Sequence, residues 1–301
     1  MTDAKRPAAL MSMTSGRLLV LAAAVMWSTS GFFAKAPIFD GWPGPVLAFW
    51  RAVFASAVLL PMVRRPRFSW RLVPLVALFA VMNYSYLTAM KVGEASLAIW
   101  MQNTAPVWVF LFGVLVLRET VQPRDWLLVV LAGCGVGLIV VCEARGQSLD
   151  GALWGLLSGL TYAGIVLCLR WLRDFESAWL VALAHLGTIV CLSPWVVQFE
   201  ELPSGEQWLY LAAFGMLQMG IPYLLFARGL QSIAGHEASG IALLEPILVP
   251  VWVFLAWHNA PGYEAPRWWT LVGGALILFG LLCRYFRLKR RPVTPPVSVE
   301  D

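Results

Sequence analysis

Apolar residues in this chain fall into long runs separated by short polar breaks. Ten runs read as helices, at 17–35, 45–63, 72–90, 95–117, 125–142, 151–169, 177–197, 208–228, 238–257 and 268–286. Each approaches the roughly 20 residues that carry an α-helix across the hydrocarbon core of a bilayer. The breaks FDGWPGP, RRPRFSWR, RETVQPRD, EARGQSLDG, EELPSGEQ and HNAPGYEAPR carry charges, Gly or Pro. They are too short to hold a soluble domain. The first run is followed by nine more and lacks a small-residue cleavage site, so it reads as a retained helix and not a signal peptide.

Composition agrees with that pattern. Hydrophobic residues make up 59% of the 301 residues and charged residues 13%, against about 25% charged in a soluble domain. Such a chain has too little polar surface to cover a globule in water. With an even number of spans, both termini lie on one side. Placing them inside leaves only Lys35, Lys91, Arg145 and Arg267 in outer segments and, Arg51 apart, every other Lys and Arg in inner ones. Cytoplasmic loops carry the excess of basic residues, so both termini read as cytoplasmic, in a bacterial-type inner membrane. The net charge of +5 then reflects topology and lipid contact, with no nucleic-acid partner. Residues 1–16 read as a cytoplasmic tail and 287–301 as a basic, disordered one. Five cysteines in or beside apolar runs, with no C-x-x-C spacing, exclude a disulfide framework and offer no metal site.

The chain also repeats itself. EASLAIWMQNTAPVWVF (94–110) returns as EASGIALLEPILVPVWVF (237–254). Five spans precede Gly151 and five follow, so the second copy would enter the membrane upside down, as in many secondary transporters. Two registers compete in the ninth span, Pro106 matching either Pro246 or Pro250. MWSTSGFFAK in the first span, LAFWRA in the second, Thr104–Glu119, LLEP in the ninth and TLVGGALILFG in the last together resemble the EamA-type branch of the drug/metabolite transporter superfamily. The resemblance spans nearly the whole sequence and departs at Asn259, where it implies a glutamate matching Glu119. It implies an all-α integral membrane protein of ten transmembrane helices as two inverted five-helix repeats, 17–142 and 151–286, enclosing a central cavity. It also implies transport of a small metabolite.

Polar residues inside apolar runs are the candidates for that work. Glu245 lies in the ninth run, where a charge is costly unless paired or hydrated. It could bind a substrate amine, carry a proton, or lock two helices together. Arg51 could snorkel to the interface, hold a substrate carboxylate, or pair with Glu245. His185 near the middle of the seventh run suits proton coupling, or is a satisfied core histidine. Ile99, Gln102, Asn103 and Pro106 share one helix face, as substrate contacts or interhelical glue. Asn83, Tyr84, Gln218 and Tyr223 invite the same reading, and Trp27, Trp50, Trp100 and Tyr162 could line the cavity. Pro106, Pro222, Pro246 and Pro250 are expected hinges, since each removes an intrahelical bond. Gly151, Gly155 and Gly159 form a ridge for a close neighbour. GCGVG at 133–137 lies inside an apolar run, with no strand before it, and is not a nucleotide loop.

The expected activity is secondary transport, by export or exchange, of an amino acid or related amphipathic solute, without cofactor or metal and as a monomer or homodimer. No HExxH, GxSxG or Walker A motif is present, which weighs against an enzyme. The rivals are a membrane enzyme built on His258, Glu264 and Arg267, and a non-transporting assembly or sensor protein.

Overall fold

A computed structural model describes residues 12–115, 123–145, 149–172, 174–229, 232–233 and 235–285. Most of both expected tails, Glu119, and the side chains of Glu237 and Ser239 in the second copy of the repeated phrase lie outside the described residues. Among the described residues the chain is helical, with no strand. In order the helices are α1 (Met13–Trp27), α2 (Ser30–Ala34), α3 (Gly44–Leu59), α4 (Val73–Val92), α5 (Ala95–Gln102), α6 (Ala105–Leu115) and α7 (Pro123–Ala144). There follow α8 (Leu149–Trp171), α9 (Ser177–Phe199), α10 (Glu206–Gly215), α11 (Ile221–Gly229), α12 (Gly235–Ala242), α13 (Leu244–Trp257) and α14 (Trp268–Tyr285). Among the described residues, nine single or joined helices are long and apolar enough to cross a bilayer. The tenth expected span is α14, whose apolar stretch Trp268–Cys283 is shorter. Leu18, Val130, Val190, Leu209 and Phe279 are exposed, on a surface suited to lipid rather than water.

Four of the runs expected to be continuous are interrupted, each for a local reason. In the first, the hydroxyls of Ser28 and Thr29 donate back to the carbonyls of Val25 and Met26, both at 2.6 Å. Such side chains compete with the backbone ladder, and α1 stops there. In the fourth, Asn103 and Thr104 bond back to Ile99 and Met101, and Pro106, second residue of α6, has no N–H for the Gln102 carbonyl. In the ninth, α12 and α13 part at Leu243, three residues before Pro246. That break aligns Pro106 with Pro246 and leaves Pro250 inside α13. In the eighth, α10 and α11 are joined by a π-helical turn, Met216–Gly220. Pro222 follows it and leaves the Gln218 carbonyl without its α-helical donor.

The packing of the helices has a symmetric pattern. α3 lies along α9, α5 against α13 and α7 along α14; α4 lies along α8, and α1 along α11. Counting spans in each half, second meets second, fourth meets fourth and fifth meets fifth, while third meets first and first meets third. Glycines permit the closest crossings. A Cβ on Gly135 of α7 would lie 2.5 Å from the Gly273 carbonyl of α14, and one on Gly273 would lie 2.7 Å from the Gly135 carbonyl. The Gly155 and Gly159 ridge of α8 receives the end of α5, where a Cβ would meet Met101 at 2.6 and 2.7 Å. Gly133 and Gly137 face open space.

The two ends of the bundle are held differently. At one end, Arg71 takes Asp174 in a two-pronged ion pair at 3.1 Å and donates to the Trp171 carbonyl, while the Glu176 carboxylate accepts the N–H groups of Arg64 and Arg65. At the other, buried Glu94 and Glu143 share Arg267, at 3.3 and 3.1 Å, and Trp269 donates to Glu143 at 2.7 Å.

Candidate functional site

Inside the bundle, helices from both halves bring a set of polar groups together around Arg51. This side chain of α3 is 1% exposed, so it does not snorkel. The Gly215 position of α10 lies against the Arg51 carbonyl and Phe54, closer than any Cβ would allow. One guanidinium nitrogen donates to Asn83 Oδ1 of α4 and another to Gln218 Oε1 in the π-helical turn, at 3.4 Å. Each amide is itself fixed: Asn83 donates to the Phe79 carbonyl, and Gln218 to the Trp27 carbonyl at the broken end of α1. The guanidinium carbon lies 5.1 Å from the centroid of the Phe214 ring. Nε of Arg51 has no partner among the described residues.

Glu245, the second residue of α13, supplies the opposite charge. It makes no salt bridge with Arg51 but lies in the same neighbourhood as Arg51, Tyr86 and Tyr223. Tyr86 shares a hydrogen bond of 2.9 Å with Ser30, and Trp252 donates to Ser28 at 2.8 Å. Tyr223 stands edge-on to Trp27, with ring centroids 5.3 Å apart. His185 of α9 is fully buried against the edge of Phe79 at 4.9 Å, and neither ring nitrogen has a partner among the described residues.

Of the residues singled out from the sequence, Trp27, Arg51, Asn83, Gln218, Tyr223 and Glu245 converge here, with His185 beyond Asn83 and Phe79. The others go elsewhere. Tyr84 points away from Asn83 into Trp154 and Trp195, because neighbouring helical positions diverge by a third of a turn. Trp100 packs beside α14, where a Cβ on Gly274 would lie 2.4 Å from its ring. Gln102 and Asn103 sit half-buried at the break before α6, and Tyr162 of α8 is 41% exposed. Among the expected hinges, Pro106 and Pro246 stand in the first turn of a helix after a break, Pro222 follows the π-helical turn, and Pro250 alone lies mid-helix.

Sequence reasoning missed Ser28, Ser30, Tyr86, Phe214 and Trp252. Three had a signal: Ser28 and Ser30 are polar positions inside an apolar run, and Tyr86 follows Asn83 by three residues on one face. The suggested reactive group at the far end does not assemble. Arg267 is held by Glu94 and Glu143, and His258 meets the Phe254 carbonyl.

Comparison with known proteins agrees with this architecture. The EamA-like transporter family matches twice, over residues 14–141 and 149–286. An uncharacterized transporter of Archaeoglobus fulgidus is 26% identical over 273 residues, covering 90% of this chain and 96% of that one. The uncharacterized transporter YxxF of Bacillus subtilis is 25% identical over 182 residues, 58% of each chain. A protein of known crystal structure superposes with a TM-score of 0.64 at 18% identity, covering 90% of this chain and 97% of the other; at that identity the likeness is one of fold. With a helical bundle made of membrane-spanning segments and a family match to each half, this chain belongs to the EamA-like transporter family.

Proposed function

We propose that this membrane transporter moves a small organic solute, an amino acid or a related amphipathic molecule, by alternating access, as an exporter or exchanger. The observation that carries the reading is Arg51: a buried cation held by two neutral amides, one from each half, with Glu245 within reach of its charge. A charge kept in the middle of a membrane is a functional group by default. Arg51 receives the solute's carboxylate. Glu245 receives its amine or carries a proton, with His185 as the second candidate for coupling. Buried Arg51 is available to a solute only if helices move, and the interrupted helices are where bending is easiest. There Pro106 and Pro246 follow ready-made breaks, Pro222 follows the π-helical turn, and Pro250 weakens α13.

The architecture in this reading is ten spans in two inverted five-helix repeats, with both termini in the cytoplasm of an inner membrane. The symmetric pairing of helices supports it, since a two-fold relation between halves makes each unlike contact occur twice. The distribution of Lys and Arg supports the orientation.

The test is transport by purified protein in proteoliposomes, over a panel of labelled amino acids and small metabolites, with and without a pH gradient. Accumulation strengthened by the gradient is expected for at least one solute. Glu245→Gln should abolish that gradient-driven uptake while exchange persists. Unchanged gradient-driven uptake in the variant removes Glu245 from coupling, and no movement of any solute counts against the transport reading.

A further inference from the structure

At the end of the bundle near Arg267, a cavity of about 130 Å³ opens between the ends of α2 and α4, the start of α5, the middle of α13 and the loop before α14. Its walls carry Lys35, Lys91, Asp40, Tyr263 and Glu264. Both lysines are anchored by backbone: Lys35 Nζ donates to the Gly93 carbonyl at 2.6 Å, and Lys91 Nζ to the Phe39 carbonyl at 2.8 Å. An ammonium has three donors, and neither lysine forms a salt bridge among the described residues. The nearest buried acid, Glu94, is engaged by Arg267 and by the Ser96 hydroxyl at 3.1 Å. Burial pushes Lys35 below the ordinary lysine value, opposed by the charges of Glu264, Glu94 and Asp40. Two cations with donors to spare thus share one cavity.

The floor of this cavity is apolar. Val253 lines it and also meets Gly31 of α2, where a Cβ would lie 2.8 Å from Val253, 2.9 Å from Val249 and 3.3 Å from Ala95. The cavity shares no lining residue with the central cluster and forms an antechamber beside the contact of α5 with α13.

We infer that the antechamber is a binding site for the carboxylate of a small organic solute, held between the ammonium groups of Lys35 and Lys91 before or after passage through the bundle. Its meaning as a staging site rests on the transport reading, but its chemistry does not depend on Arg51 or Glu245. Asp40 and Glu264 on the same walls are placed to take the amine of a solute that carries one.

The experiment is protection from chemical labelling. The protein in proteoliposomes is treated with a membrane-impermeant amine-acylating reagent, and modification of Lys35 and Lys91 is followed by peptide mass spectrometry. Betaine, propionate and tetramethylammonium, none of which carries an amine that the reagent can acylate, are compared at equal ionic strength. Labelling of both lysines is expected to slow at least about threefold with betaine, propionate or both, and not with tetramethylammonium. Equal protection by tetramethylammonium, or protection by none of the three, overturns the site. The unfolding midpoint covers the case in which the lysines react too slowly to follow. Betaine or propionate should raise Tm in the parent and in Lys91→Arg but not in Lys91→Gln; a rise in all three proteins, or in none, also overturns it. Protection should survive Arg51→Gln, and its loss there would tie the effect to the central cluster and discard a separate site. Protection with no transport of any solute would remove the transport reading and keep the site; transport without protection would do the reverse.

Discussion

A guanidinium stays charged at any ordinary pH, so burying Arg51 obliges its neighbours to solvate it. Asn83 and Gln218 do so here, and each is held by a backbone carbonyl. Removing one should be expensive, because a hydrogen bond to a charged group is worth about 1.5–3 kcal/mol. Asn83→Ala is expected to lose about that much in a denaturant or thermal unfolding series. Asn103→Ala, whose amide only returns to Ile99 of its own helix, should lose under about 1 kcal/mol. Equal losses would mean that the Arg51 contacts carry no special weight. This difference was not legible in the sequence, where Asn83 and Asn103 looked alike as amides within apolar runs. What separates them is the identity of the group across the helix interface.

At the scale of elements, the interruptions and the glycine crossings shape the bundle. Serine, asparagine and proline marked the breaks in the first, fourth and ninth spans, whereas the π-helical turn at Met216–Gly220 had only Pro222 to announce it. Such turns often sit at functional sites, and this one presents Gln218 to Arg51. The GCGVG stretch offers a direct test of the crossings. Gly135→Ala puts a methyl 2.5 Å from the Gly273 carbonyl and is expected to destabilise by about 1–3 kcal/mol. Gly133→Ala and Gly137→Ala enter open space, and alanine is the better helix former by up to about 1 kcal/mol. They should be neutral or stabilising. Three equal effects on unfolding would contradict the packing of α7 on α14.

For the whole molecule, the contrast between the two ends matters most. One end ties the segment at Arg64–Arg71 to the Asp174–Glu176 turn through one exposed ion pair, Arg71 with Asp174, and hydrogen bonds from backbone N–H groups to Glu176. The other buries two carboxylates on one arginine. Burial pushes the Glu94 carboxyl above the ordinary glutamate value; hydrogen bonds from the Arg267 N–H and Ser96 oppose this, and the charge of Glu143 adds to it. The folded protein therefore keeps this proton to higher pH than the unfolded chain does. Its contribution to stability is complete below about pH 4.3 and is lost as pH rises through the folded value. The slope cannot exceed about 1.4 kcal/mol per pH unit for one proton. Glu94→Gln should flatten that part of a Tm-against-pH curve, and an unaltered slope would show that Glu94 does not titrate with folding.

The linear sequence determined the membrane class, the runs that become spans, the repeated phrase and the charge asymmetry. These follow from hydropathy and spacing, which are properties of neighbouring residues, while the family came from the resemblance of short motifs. Tertiary structure alone decided which polar groups meet. Arg51 and Gln218 stand 167 positions apart, and Arg267 reaches Glu94 across 173. No local pattern distinguishes Asn83, turned toward Arg51, from Tyr84, turned away. The reason is that a helix offers several faces, and the neighbours packed against it choose which face becomes the interior.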